Sequence, residues 1–335
     1  MRTIHYFERM LLGGIVILTF VTLALSHAAA QGGSAGQNAI CISGSGCSAG
    51  SGTMGSSAFI DATGVTQFST FCETIFHILQ PSTYPPAGAV IDARGLPAAG
   101  VNMTCTSSPW GSGSNYVNKP STILLPAGSI NIPGAWVLPN GTALIGENNR
   151  PPATASSGGQ NATTLVACTT SICPNTGNFS GTTMLQFGDS TCPSAGCRGI
   201  SVEGIALNGN GFNTDGITNA NARERSYVDH VTLYQILGVG LQIGTGADNS
   251  GPYSNITFDT GTFSPSFTST ACAKINGTSG TRGIHSLSCI GESTNGSVGV
   301  YLDSSNNSLD DIRIMGFDDG GLVATLASSY GANPI

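Results

Sequence analysis

Apolar residues recur along the second half of the chain at the first, fourth and sixth positions of short segments. Val202 to Leu207, Val228 to Leu233, Tyr253 to Phe258, Ile284 to Cys289 and Leu309 to Ile314 all carry the pattern. Their central residues, Ile205, Val231, Ile256, Leu287 and Ile312, lie 26, 25, 31 and 25 residues apart. A second series, Gly216-Ile217, Gly240-Leu241, Cys272-Ala273, Gly299-Val300 and Gly321-Leu322, falls between them in step. Segments this short, rich in Val, Ile and Thr and bounded by Asn, Gly, Ser and Asp, read as strands and tight turns. Helical repeats would need a 3.6-residue period over about ten or more positions. Two strands in every repeat describe a solenoid, in which each coil buries its apolar face against the next. The expected fold class is all-β, a single-domain parallel β-helix with rungs about 4.8 Å apart.

The pattern extends toward the N-terminus. Ala89-Val90-Ile91 and Ile123-Leu124-Leu125 are strand candidates, and Leu144, Leu165, Leu185 and Ile205 follow at steps of 21, 20 and 20 residues, which predicts shorter early coils. Phe71, Ile75, Phe76 and Leu79 fall at helical spacing, so Thr70 to Gln80 is expected to be a short amphipathic helix stopped by Pro81. Within an N-terminal cap spanning about 59–81, such a helix would shield the first rung of a solenoid. The C-terminal end reads as uncapped. The segment Asn102 to Lys119 has no periodicity and is expected to be a long loop of the kind that is often functional.

Composition narrows the surroundings. Charged residues make up 9% of the 335, against about 25% in an average globular domain. The surface therefore meets water through Ser, Thr, Asn and Gly. The net charge of -7 and the lack of a basic stripe argue against a nucleic-acid partner. Residues 1–30 read as a signal peptide: Arg2 and Arg9, an apolar run from Leu11 to Leu25, then Ala28-Ala29-Ala30 before Gln31. A Gly/Ser-rich leader over 31–57 precedes the β-helix domain, 58–335. The expected location is secreted or cell-surface, with no membrane association after signal cleavage.

All ten cysteines lie in the expected mature chain, as disulfides in an exported protein would. Local loops Cys41 to Cys47, Cys168 to Cys173 and Cys192 to Cys197 compete with links between neighbouring coils, since Cys168 to Cys192 and Cys173 to Cys197 are each 24 residues apart. Cys72 with Cys105 and Cys272 with Cys289 are the natural remaining pairs. No compact Cys/His cluster has zinc-ligand spacing, so no metal site and no cofactor are expected. Eight N-x-[ST] sequons are present, a number inflated by the Asn/Ser/Thr-rich turns.

The runs AVIDARGL (89–96), ILLPAGSINI (123–132), WVLPNGTALIGENN (136–149) and TTLVAC (163–168) resemble the opening coils of the pectate-lyase-like superfamily. More narrowly, they are similar to its branch related to the glycoside hydrolases that cut polygalacturonate. The resemblance spans roughly residues 59 to 326. It implies a right-handed parallel β-helix, a polysaccharide partner, and carboxylates or a basic residue in a groove along the side of the helix. Calcium is implied only if the activity is that of a lyase.

Candidate chemistry is sparse. Asn213-Thr214-Asp215-Gly216 has the letters of the first catalytic motif of the polygalacturonase branch, but the next coil, Gly240 to Gly244, lacks the Asp pair that should follow. As a turn, Asn-Thr-Asp-Gly needs no function. Two positions before the central apolar residues runs a column of Glu203, Asp229, Ser254, His285 and Asp310. There a Glu203–Asp229 like-charge pair would raise one pKa, and His285 would meet Asp310. The dense cluster Arg223-Glu224-Arg225 with Asp229-His230 could grip a uronate carboxylate, or pair internally. Asp215, Glu203 and Asp229 are thus the catalytic candidates. Arg223, Arg225, His230, His285 and Asp310 are the substrate-binding candidates. Trp110, Tyr116, Trp136, Phe263 and Phe267 are candidate stacking platforms. The function classes left open are a polysaccharide hydrolase or lyase acting on uronate-containing polymers, a non-catalytic carbohydrate-binding or adhesive protein, and a structural solenoid that self-associates end to end.

Overall fold

Alternating buried and half-exposed residues in runs of three to eight form the strands. The first are β1 (Ala58–Asp61), β2 (Ala89–Asp92), β3 (Ser121–Leu124), β4 (Gly128–Ile132), β5 (Trp136–Leu138) and β6 (Thr142–Ile145). Next come β7 (Thr163–Ala167), β8 (Thr183–Phe187), β9 (Ser201–Asn208), β10 (Asp215–Asn219), β11 (Tyr227–Tyr234) and β12 (Val239–Ile243). The last are β13 (Tyr253–Asp259), β14 (Ala271–Asn276), β15 (Ile284–Ile290), β16 (Val298–Asp303), β17 (Leu309–Met315) and β18 (Leu322–Ala324). An α-helix, α1 (Phe71–Leu79), follows β1. This computed structural model describes residues 58–324 except 66–67, 83, 86–87, 150–161, 190, 194–195, 261–270, 277–279, 292–296, 304–306 and 318–319. All of them belong to the unit Ala39–Ile335. The expected signal peptide, the leader with Cys41 and Cys47, Phe263 and Phe267, and the chain beyond Ala324 lie outside the described residues.

The strands pair only in parallel, in two sheets. One runs β1-β2-β3-β6-β9-β11-β13-β15-β17, with β7 also on β9 and β4 on β7; the other runs β5-β8-β10-β12-β14-β16-β18. From β9 onward, neighbours within a sheet are two strands apart in sequence, because every coil visits both. The fold is an all-β parallel solenoid with one short helix. The central residues stack as the repeat requires: Ile205 on Val231, Val231 on Ile256, Ile256 on Leu287 and Leu287 on Ile312. The first four are at most 1% exposed, each contributing roughly 1.5–3 kcal/mol by leaving water.

Each long strand is two short ones joined at a one-residue corner. β9 pairs with β6 through Ser201 to Glu203 and with β7 through Ile205 to Asn208, leaving Gly204 between them at φ 63°. His230, Asn255, Ser286 and Asp311 repeat that left-handed conformation in β11, β13, β15 and β17, with φ of 50° to 53°. Asn, Asp and His tolerate this region better than other non-glycine residues. The glycines of the second series have a different cause. A Cβ on Gly240 would lie 2.5 Å from both the Phe258 ring and the Cys272 carbonyl oxygen.

The early coils differ from expectation. Leu144 pairs with Val202, Leu165 with Leu207, and Leu185 with Ile217 of the other sheet. Leu144, Leu165 and Leu185 are therefore three sides of one long coil, not three short coils. Strands on different sides of a coil bury similar residues, so spacing alone does not separate them.

Helix α1 starts at Thr70, whose Oγ1 accepts from the Glu73 N–H at 3.2 Å, and ends at Gln80. Phe71, Cys72, Ile75, Ile78 and Leu79 bury its inner face in the core. At its C-terminus the Lys119 ammonium donates to the carbonyls of Leu79, Gln80 and Pro81 at 2.8, 3.3 and 2.7 Å, a favourable site for a cation. Among the described residues four disulfides form, Cys72–Cys105, Cys168–Cys173, Cys192–Cys197 and Cys272–Cys289, so the local option holds for the middle pairs. Among the described residues no helix is long and apolar enough to cross a membrane.

Candidate functional site

A cleft of about 870 Å³ opens beside the first strands of the smaller sheet. Its walls are three loops. The first, from Thr106 to Asn118, crosses α1 and is anchored where Cys105 is tied to Cys72 and its N–H donates to the Asn131 carbonyl at 2.9 Å. Gly111 is needed at this crossing: its φ is 74°, and a Cβ would lie 2.6 Å from the Asn115 carbonyl oxygen and 2.9 Å from the Phe76 ring. The second wall carries Thr176 and Ser180, which follow the short loop closed by Cys168–Cys173, and the Ser180 N–H donates to the Pro133 carbonyl at 3.0 Å. The third carries Asp189 and Thr191, which lead directly into the short loop closed by Cys192–Cys197. Pro133, Gly134, Ala135 and Val137 form the floor.

Trp110 and Trp136, expected to be exposed platforms, are fully buried. Their rings meet edge-on at 6.1 Å, and Phe71 stacks on Trp136 at 6.4 Å, so they support the cleft from beneath. Apolar burial outweighs what these rings would gain at the surface. Tyr116 alone of the three lines the cleft, its hydroxyl donating to the Val137 carbonyl at 3.5 Å. Burial, and then the Asp189 charge, push its phenol well above the usual range. Asp189 Oδ1 accepts from the Thr191 N–H at 2.7 Å and the Thr191 hydroxyl at 2.6 Å. The cleft thus offers hydroxyls, one amide and one carboxylate, groups that donate to and accept from a polyol.

No protein-family model, no curated protein and no solved structure matches this chain. The site must therefore be read from its own geometry.

The column anticipated from the repeat is assembled in register: Glu203 beside Asp229, Asp229 beside Ser254, Ser254 beside His285, His285 beside Asp310. Its chemistry differs from that expected of a like-charge pair. Burial acts to raise the Asp229 carboxyl, but hydrogen bonds from Asn255 (2.8 Å), His230 (2.8 Å) and Ser254 (2.9 Å) hold it below the usual carboxylate range. Asp229 is therefore a fixed anion and a poor proton donor. Glu203 accepts a short hydrogen bond from the Tyr227 hydroxyl. His285 lies 3.8 Å from Asp310, whose side chain is 78% exposed.

The remaining candidates stand apart from that column. Asp215 begins β10 in the smaller sheet and accepts the Val239 N–H at 2.8 Å. Burial pushes its carboxyl up, against the Val239 hydrogen bond and the Lys274 charge. Arg223 lies 4.0 Å from Asp248 and donates to the Gly246 carbonyl at 3.4 Å, while Glu224 pairs with Arg198 at 3.1 Å. Internal pairing thus accounts for part of the charge cluster. Arg225 is exposed at φ 62°. Among the described residues no group of three or more His, Cys, Asp or Glu is placed to hold a metal ion. Asp189, Thr176, Ser180 and Thr191 escaped the sequence reading. The usable signal was the pair of cysteine pairs five positions apart, Cys168 with Cys173 and Cys192 with Cys197, beside aperiodic, Ser/Thr-rich stretches.

Proposed function

We propose that the protein binds polysaccharide outside the cell through the cleft of three disulfide-tied loops. The observation that carries this reading is the cleft itself: a hydroxyl-rich lining on loops that each adjoin a disulfide, with Tyr116 at the wall. A site fixed before the ligand arrives loses less conformational entropy on binding. Four disulfides favour an oxidising compartment. The parallel solenoid with its leading helix supports, at the level of fold, the resemblance to the pectate-lyase-like superfamily, and fold does not by itself transfer chemistry. Binding is favoured over hydrolysis because a two-carboxylate glycosidase needs paired acids, whereas Asp189 is the only carboxylate among the described residues of the cleft lining.

One observation favours a second, hydrolytic reading. Asp215 is a half-buried carboxyl pushed upward in pKa, as a general acid would be. Affinity electrophoresis against a polysaccharide panel, run beside assays for reducing ends and unsaturated products, separates the two. Retention lost in a Gly134→Trp variant, with no product formed, supports binding at the cleft. Products abolished by Asp215→Asn support the hydrolase and overturn the purely binding role.

A further inference from the structure

Charge decides which glycans the cleft admits, and the following step rests on the binding reading above. We infer that the cleft takes uncharged glycans and rejects polyuronates, contrary to the uronate polymer suggested by the resemblance. Among the described residues that line the cleft, Asp189 is the only Asp or Glu and there is no Lys, Arg or His. Tyr116 stays protonated, because burial and the Asp189 carboxylate both push its phenol upward.

Asp189 is oriented for a ligand that donates hydrogen bonds. Thr191 takes up Oδ1 through its N–H and hydroxyl, and Oδ2 has no partner among the described residues. A sugar hydroxyl can donate to that oxygen in a charge-assisted hydrogen bond. A uronate carboxylate in the same place brings like charge to a site partly shielded from water, with no cation to offset it. The arginines that could have received it lie elsewhere: Arg223 faces Asp248 and the Gly246 carbonyl, and neither Arg223 nor Arg225 lines the cleft. The Ser and Thr hydroxyls can each donate or accept, which suits a neutral pyranose whose own hydroxyls do both.

The test is calorimetric titration of the secreted, disulfide-intact protein at low salt. The probes are cellohexaose, xylohexaose, laminarihexaose, N-acetylated chitohexaose and hexagalacturonate. Gly134→Trp fills the cleft: a Cβ there meets only Ser180 Oγ, at 3.8 Å, so the position accepts a side chain. Ser180→Tyr, at an exposed position, is an independent blocking variant. The expected result is binding of at least one uncharged hexasaccharide and none of hexagalacturonate. Either blocking variant should abolish it, and Asp189→Asn should weaken it by about 5- to 10-fold through loss of the charge-assisted bond. Hexagalacturonate binding that the blocking variants abolish would overturn the substrate class while leaving the cleft as the site. Binding that survives both blocking variants, or no binding of any probe, would overturn the cleft reading itself.

Discussion

Asp229 and Asp215 are both partly buried carboxyls, yet their surroundings push them in opposite directions. Three hydrogen bonds hold Asp229 low, whereas burial dominates at Asp215 and raises it. A carboxyl depressed in the folded state stabilises the fold above its unfolded value of about 3.9, and that stabilisation is lost as pH falls through the lower folded value. Asp229→Ala should therefore cost about 1–2 kcal/mol at pH 7. In urea titrations at a series of pH values, the gap to wild type should close as the solution becomes strongly acidic. At Asp215 the sign reverses. Its ionisation opposes folding once pH exceeds the unfolded value, most fully above the raised folded one. Asp215→Asn keeps a side-chain oxygen for the Val239 N–H and should stabilise the protein by about 0.5–1 kcal/mol at pH 7, with no gain below about pH 3.9. Both carboxyls stood out in the sequence. Their directions did not, because register told that Glu203 adjoins Asp229 but not that Asn255, one residue off the column, turns toward the same carboxylate at 2.8 Å.

At the scale of elements, the helix and the cleft loops depend on single connections. Lys119 reaches back about forty residues in sequence to three carbonyls at the end of α1. Lys119→Met keeps much of the side-chain stem but removes the donor, and should lower stability by about 1–3 kcal/mol in chemical denaturation. The third cleft wall depends on Cys192–Cys197. A Cys192→Ser/Cys197→Ser protein should lose affinity for its glycan by about tenfold while its thermal midpoint falls only a few degrees, since a short loop closed by a disulfide constrains the unfolded chain less than a long one. Equal losses in both measurements would remove the preorganisation argument. Helix α1 was legible within a residue at each end because a 3.6-residue apolar period, Thr70 and Pro81 all mark it. The cleft was not. Ser and Thr in an aperiodic loop look alike whether they face a ligand or bulk water, and only the packing of Trp110 and Trp136 beneath the loops distinguishes them.

Over the whole molecule, burial is uneven along the stack. Val202, Val228, Tyr253 and Ile284 are fully enclosed, whereas Met315 and Leu322, in the final described strands, are 40% and 56% exposed. Strands whose side chains are less enclosed open more readily. Amide exchange should accordingly be slowest in β9 to β13 and faster by at least about tenfold in β17 and β18; uniform protection would contradict that gradient. The repeated half of this stack was readable because in-register columns demand the same residue class at the same place in every coil. The long coil containing β6, β7 and β8 was not, because Leu144, Leu165 and Leu185 satisfy the same demand from three different sides.

The one-residue corner implies a grammar for growth. Because Gly204, His230, Asn255, Ser286 and Asp311 turn the chain with no loop of their own, a coil is a closed phrase whose start and finish superpose on those of the next, as Val228 does on Tyr253. Copying residues 228–252 and inserting the copy ahead of Tyr253 would lengthen the column by one storey, leaving every existing corner and the cleft untouched. A gene for such a protein can expand by duplication in the stack and diversify by insertion in the loops, and neither process disturbs the other.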